Sequence, residues 1–309
     1  MSRGDWTAPG CRHWWLLIAL LLAPALPAQT VFEDSRRVGL DTPEGWAMAY
    51  VSASSLMTGF GGDPQLAPWQ WAVSAELASI PHLSQAQQQV GFSGAKAEDL
   101  NKSPVFGRGR VWLGLPGRWV AELGYTPELT IDGAQPEDLF SLALGRELYA
   151  VGNWSGYGRG MIQRGRAGGD ITCPRSLAGD QDPLVNPFGC AGRSRDRLEM
   201  DYQGLELINR WQPAAHPLHY SLGVGWVHLK PRVQVDAPLF FDVRDRSRLV
   251  SSGNLRYFSL GLGRRISPRW DGALELLYVP LKVQRSVAQG RENDPYWSLR
   301  LQLRWRRGG

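Results

Sequence analysis

The segment that most restricts the fold is the last one, Tyr296–Trp305, which alternates apolar and polar residues without a break. Side chains along a β-strand point to opposite faces with a period of two. One face therefore carries Trp297, Leu299, Leu301, Leu303 and Trp305, and the other Tyr296, Ser298, Arg300, Gln302 and Arg304. Strands of soluble sheets alternate too, but this one brackets three leucines between tryptophans eight residues apart. Eight residues at about 3.3 Å each, tilted by about 40°, advance roughly 20 Å along a membrane normal, near the spacing of two aromatic girdles around a lipid core. The pattern implies hydrocarbon on one face and water or paired charge on the other.

The preceding segment repeats the design. Trp270, Gly272, Leu274, Leu276 and Tyr278 share one face; Asp271, Ala273, Glu275, Leu277 and Val279 share the other. Working backwards, similar stretches occupy 254–265, 218–229, 200–211, 153–163, 138–148, 118–126, 105–115 and 69–79. Every tryptophan after Ala28 except Trp46 and Trp112 falls on the apolar face. The girdle residues expected from this register are Trp119, Trp211, Trp226, Trp270, Tyr278, Trp297 and Trp305. Connections alternate between tight (Leu115–Arg118, 149–152, 212–217, Ile266–Arg269) and long (80–104, 127–137, 164–199, 230–253, 280–295). Short periplasmic turns and long extracellular loops are the asymmetry of a membrane barrel. The expectation is an all-β chain: a transmembrane, antiparallel, up-and-down β-barrel of about ten strands over 69–305, with a tail at 306–309 and a single copy per barrel. Beyond the first 28 residues no run of eighteen apolar residues offers a transmembrane helix.

At the amino terminus Arg3, Arg12 and His13 precede the apolar run Trp14–Ala23, and Pro24-Ala25-Leu26-Pro27-Ala28 follows. A run this short, with a small-residue site after it, predicts a signal peptide over 1–28 and cleavage after Ala28. Cys11 precedes the apolar run, so the segment is not of the lipoprotein type. Cleavage leaves Cys173 and Cys190 as the only cysteines. In an oxidising compartment the pair predicts a disulfide in the longest loop. Closing about seventeen residues stabilises by on the order of 3 kcal/mol. No histidine lies between or beside them, so no metal site is expected.

Residues 29–68 differ from the rest. Thr42-Pro43-Glu44 is a helix start, and Trp46, Ala49/Tyr50, Ala53 and Leu56/Met57 recur at helical spacing until Gly59, Gly61 and Gly62. This predicts a short amphipathic helix over 43–58, at the periplasmic rim or in the lumen. Trp46, Met48 and Tyr50 also alternate, so a twelve-stranded barrel is the alternative.

The chain has 34 Lys+Arg against 29 Asp+Glu, with the arginines spread along it rather than gathered in a stripe, which argues against nucleic acid as a partner. The inward face collects Arg108, Arg110, Arg159, Arg210, Arg265, Arg300 and Arg304 against Glu76, Glu122, Glu147, Glu206, Asp271 and Glu275. Unpaired charges in a narrow interior are costly, so these residues predict an ion-paired network across the lumen. Ser221, Gly223, Gly225, Ser259 and Gly261 leave a hollow along one wall, sized for the helix or for a solute.

The export signal, the alternating segments, the aromatic brackets and a last strand ending in an aromatic resemble Gram-negative outer-membrane β-barrel proteins as a class, over roughly 69–305. The chain departs from that class by adding Arg306-Arg307-Gly308-Gly309 after Trp305. The resemblance implies the bacterial outer membrane as location. Its partners would be outer-membrane lipids, lipopolysaccharide and, during insertion, the barrel-assembly machinery. Fold does not assign function. The expected function is a narrow, porin-like passive channel or a closed, surface-exposed barrel. The alternatives are a lipid- or peptide-hydrolysing enzyme with a site at the extracellular rim, or an adhesion barrel acting through its loops. Omptin-like proteases need paired acids and a His–Asp couple, and outer-membrane lipases need serine and histidine. His82, His216, His219 and His228 sit in no such motif, so no catalytic residue, metal or cofactor is assigned.

Overall fold

The computed structural model describes residues 30–62, 66–214, 216–286, 288 and 290–307. The signal-peptide reading of 1–28 and Cys11 lie outside them. Ten long strands form the wall: β1 (Trp71–Ser79), β2 (Val105–Leu115), β3 (Trp119–Thr126), β4 (Gln135–Val151), β5 (Trp154–Gly169), β6 (Tyr202–Trp211), β7 (Leu218–Leu229), β8 (Gly253–Arg265), β9 (Trp270–Val279) and β10 (Tyr296–Arg306). Each pairs antiparallel with its sequence neighbour, and β10 pairs back onto β1 through Arg300↔Ala78 to Arg306↔Ala72. The barrel is closed.

Alternation sets the two faces. In β10, Trp297, Leu299, Leu301 and Leu303 are exposed, while Tyr296, Ser298, Arg300, Gln302 and Arg304 are buried. Neighbouring strands continue the belt, since Leu274↔Leu301 and Leu276↔Leu299 pair across β9 and β10. Aromatic pairs mark its borders: Tyr278–Trp297 (ring centroids 4.3 Å) and Tyr125–Phe140 (4.9 Å) toward the long loops, Trp71–Trp305 (5.3 Å) and Trp154–Trp211 (6.1 Å) toward the short turns. The seven expected girdle residues all lie on this outer face. Trp46 and Trp112, the two exceptions of the sequence, are buried inside. Trp69 is exposed in the turn before β1 at φ 70°, so the first strand starts at Trp71 rather than at 69.

Strands β4 and β5 outrun their sequence-based limits, reaching Gln135–Val151 and Trp154–Gly169 rather than 138–148 and 153–163. At the short-turn end 149–151 lengthen β4, while residues 135–137 and 164–169 stand beyond the lipid belt on the long-loop side, where alternation loses its meaning. There Asp196–Glu199 pairs with the end of β5 and with Arg232–Gln234. Arg248–Val250 and then Ser35–Arg37 extend that sheet. Cys173 and Cys190 are bonded in this region, Cα–Cα 5.6 Å, and pack with Val235 and Ala237.

The helix α1 spans Pro43–Ser54. Thr42 caps it, its hydroxyl accepting from the Gly45 N–H at 3.2 Å. Two sequence expectations are corrected here. The helix stops at Ser54, not 58, where serine hydroxyls turn back on its last carbonyls: Ser54 Oγ donates to Val51 O and Ser55 Oγ to Ser52 O. Nor is it amphipathic, since eleven of its twelve residues are buried. A helix covered on every side has no face left for water, and this one lies inside the barrel, its buried Glu44 paired with Arg36 at 2.7 Å. Tyr50 reaches Pro81 O and Trp46 reaches Asp294 O, so α1 sits toward the long loops, not at the short-turn rim. Trp46, Met48 and Tyr50 belong to it, and the wall has ten strands rather than twelve.

Candidate functional site: the plugged lumen

Beyond Ser54 the chain runs down the barrel axis, and the wall grips it. Four successive carbonyls each accept from a different arginine. Arg108 donates to Ser55 O (2.5 Å), Arg300 to Leu56 O (2.5 Å), Arg159 to Met57 O (2.6 Å) and Arg110 to Thr58 O (2.7 Å). The Met57 N–H donates to the Tyr202 hydroxyl at 2.8 Å, and the Thr58 hydroxyl meets Glu275 at 2.5 Å. Strands β2, β5, β6, β9 and β10 all take part. A backbone outside helix or sheet would leave costly unmet polar groups in a dry interior. Here the arginines meet them.

Three of these arginines are paired with acids on the wall. Arg110 pairs with Glu76 and with Glu122 (2.7 Å), Arg159 with Glu122 (2.7 Å) and Glu206 (3.0 Å), and Arg300 with Glu76 at 3.6 Å. Gln163 joins by holding both Arg108 (2.9 Å) and the Ser55 hydroxyl (2.8 Å). Arg300 and Glu76 are fully buried. A guanidinium has five donors in a planar fork, enough to serve a carbonyl and a carboxylate together, which a lysine does less well.

The remaining sequence-selected residues lie elsewhere. Arg304 is buried below the plug, its guanidinium 4.6 Å from the Trp112 ring. Arg210 donates to Gln212 near the short-turn end. Asp271 there meets Arg306 (2.7 Å) and Arg265 (3.7 Å), the latter half-exposed. Glu147 pairs with Arg118 at the adjoining turn, on the rim rather than in the lumen. The hollow along β7 and β8 is filled from the wall itself. A Cβ on Gly225 would lie 2.0 Å from the Tyr257 ring, one on Gly223 2.4 Å from Ser259 Oγ, and one on Gly263 2.1 Å from His219. What is left of it meets the plug, since a Cβ on Gly61 would lie 3.3 Å from the Ser221 hydroxyl. Beneath Phe60–Gly62 lies a small cavity of about 30 Å³, lined by Arg210, His219, Asp271, Gln302 and Arg304, with room for about one or two waters.

Sequence reasoning missed Tyr202, Gln163 and the backbone of 55–58. The signal for the first two was their inward register, which was read for charge alone. Among the described residues no group of three His, Cys, Asp or Glu is placed to hold a metal ion. His228 meets Asn254 at 2.8 Å on the outer side of the wall, and His219 lies at the short-turn end of β7.

An apolar belt between two aromatic borders, around a closed wall with a charged interior, decides the class. The architecture is that of Gram-negative outer-membrane β-barrel proteins, a closed antiparallel barrel of ten strands. No protein-family model matches the sequence, and no curated protein matches it. Among solved structures, an outer membrane channel of Pseudomonas putida F1 is similar at 11% identity, covering 82% of this chain and 100% of that one, with a TM-score of 0.40. The Pseudomonas putida toluene transporter TodX follows at 10% identity, 87% and 93% coverage and a TM-score of 0.33. The Escherichia coli outer membrane protease OmpT gives 8% identity, 77% and 94% coverage and 0.33. A channel, a transporter and a protease thus stand side by side, and likenesses this low carry no function across.

Proposed function

We propose that this outer-membrane barrel is closed at rest, its lumen sealed by residues 43–62, and that it acts at the cell surface rather than as an open diffusion pore. The observation that carries this reading is the set of four consecutive carbonyls, Ser55 to Thr58, each held by a separate buried arginine. Freeing that segment breaks four charge-assisted hydrogen bonds at once, each worth roughly 1.5–3 kcal/mol. Thermal fluctuation does not open such a seal on the timescale of ion passage.

Liposome swelling tests the reading. Vesicles carrying the purified barrel and placed in arabinose are expected to swell no faster than empty vesicles. Swelling that scales with the amount of wild-type protein would refute it.

A further inference from the structure

One side of the barrel carries its outer face past the lipid. Beyond Trp226 of β7 the outward positions are His228, Lys230, Arg232 and Gln234. On the next strand, beyond Arg256, they are Asn254, Ser252, Val250, Arg248 and Arg246. The short strands at this end keep register, so that Arg197, Gln234, Arg248 and Ser35 form one row, and Glu199, Arg232, Val250 and Arg37 the row beneath it. Leu198, Val233 and Leu249 turn the other way, into an apolar cluster that includes Met48 of α1. The basic rows therefore face outward. Arg37, Arg195, Arg197, Arg232, Arg246 and Arg248 are all exposed.

Most acids of this face are already held. Glu199 pairs with Arg232 (3.3 Å), Glu137 with Arg166 (2.7 Å) and Arg197 (3.8 Å), and Asp236 accepts twice from Arg244 (2.5 and 2.8 Å). Arg195, Arg246 and Arg248 have no carboxylate within 4.0 Å among the described residues. With Arg197 and Gln234 they line one open cleft, which Glu33, Asp34 and Asp236 share. Asp236 is taken by Arg244, and Asp34 lies 3.8 Å from Arg36, so guanidinium is in excess there. A guanidinium without a carboxylate is a planar fork open to phosphate. Depth names the partner. Six residues from Trp226 to Arg232, at about 3.3 Å each and tilted by about 40°, carry Arg232 roughly 15 Å beyond the aromatic border. The headgroup layer of a phospholipid leaflet is only about 5–8 Å thick. A phosphorylated glycolipid sets sugars and phosphates at the greater height.

We propose that this arginine face binds the phosphorylated sugars of a lipopolysaccharide molecule standing beside the barrel in the outer leaflet. The acyl chains lie against the belt below, where Leu205, Trp226 and Phe258 are exposed. Single exposed ion pairs contribute little. Affinity here comes from several phosphates meeting several arginines at once, which a lipid with one phosphate cannot match. The proposal goes beyond the sealed lumen and does not depend on it.

The test uses the full chain in detergent, with lipid affinities read by native mass spectrometry. Rough-type lipopolysaccharide, with phosphates on lipid A and on the inner core, is expected to bind about tenfold or more tightly than phosphatidylglycerol. The triple variant Arg197→Gln, Arg232→Gln, Arg248→Gln is expected to remove that advantage. Arg248→Gln alone, which breaks no ion pair, is expected to reduce it about threefold. The control variant Arg118→Gln, Arg264→Gln, Arg269→Gln loses the same charge at the short-turn end and is expected to keep it within about twofold. Heat-modifiable gel migration checks that each variant is folded. Equal affinity for the two lipids, or an advantage that the triple and the single variant both retain, overturns the site. Binding that EDTA abolishes would place the lipid on the acids through divalent ions and overturns the role of the arginines. Inorganic pyrophosphate that displaces the lipopolysaccharide at equal concentration overturns the lipid as the partner. Liposome swelling is read separately, so failure here leaves the sealed-lumen reading standing.

Discussion

Arg159 donates to the Met57 carbonyl at 2.6 Å while its other nitrogens lie 2.7 Å from Glu122 and 3.0 Å from Glu206. One side chain thus joins the plug to two acids of the wall. Replacing Arg159 by leucine leaves Glu206 without its cation in a dry interior. Removing one partner of a buried pair costs about 3–5 kcal/mol. Arg159→Leu is therefore expected to lower the temperature at which the folded barrel loses its fast gel migration, with Arg159→Lys falling between. An unchanged transition would show that the pairing contributes nothing.

The Cys173–Cys190 bond lies above the lipid belt, apart from the ten-stranded wall. Cys190→Ser is expected to leave the heat-modifiable barrel intact and to open residues 174–189 to trypsin and chymotrypsin. Loss of the barrel in this variant would assign the bond a role in wall assembly that its position does not suggest.

Burial pushes the Glu98 carboxyl up from 4.5 to about 8, against the pull of Lys96 at 3.0 Å and with help from the charges of Asp196 and Asp245. A folded-state value above the unfolded one means that the folded loop holds the proton more tightly. The contribution is full below pH 4.5 and is lost as pH rises through about 8. Amide exchange across 85–98, corrected for intrinsic rates, is expected to be slower at acidic than at alkaline pH. Glu98→Gln should flatten that dependence; a wild-type profile that is already flat would contradict the account.

The plug also predicts where the amino-terminal segment emerges. Thr30–Phe32 pairs with Val243–Asp245 and Ser35–Arg37 with Arg248–Val250, all at the long-loop end. With the long loops outside the cell, a cysteine at Asp34 is expected to react with a membrane-impermeant maleimide on intact cells. One at Arg269, in a short turn, should react only after permeabilisation. The reverse pattern would invert the barrel.

The wall was legible in the sequence because lipid makes one rule hold over ten segments: Leu299, Leu301 and Leu303 have nowhere to face but hydrocarbon. The rule ends where the lipid ends, so the upper reaches of β4 and β5 around Arg164 and Arg166 read as loop. The charged interior was legible in kind, since Arg108, Arg110, Arg159 and Arg300 could be placed inward with Glu76, Glu122, Glu206 and Glu275. Their target was not. A main-chain carbonyl has no residue letter, and the stretch Ser55–Thr58 reads as more helix in the sequence, whereas in the structure its carbonyls are taken by arginines of the wall.

Single-channel recording in planar bilayers tests the central claim most directly, comparing the wild-type barrel with one lacking residues 43–62. The seal predicts a silent wild type and discrete, stable current steps from the deleted form. Equal steps from both proteins would show that ions already have a path around the four arginines, and the closed-barrel account would fall.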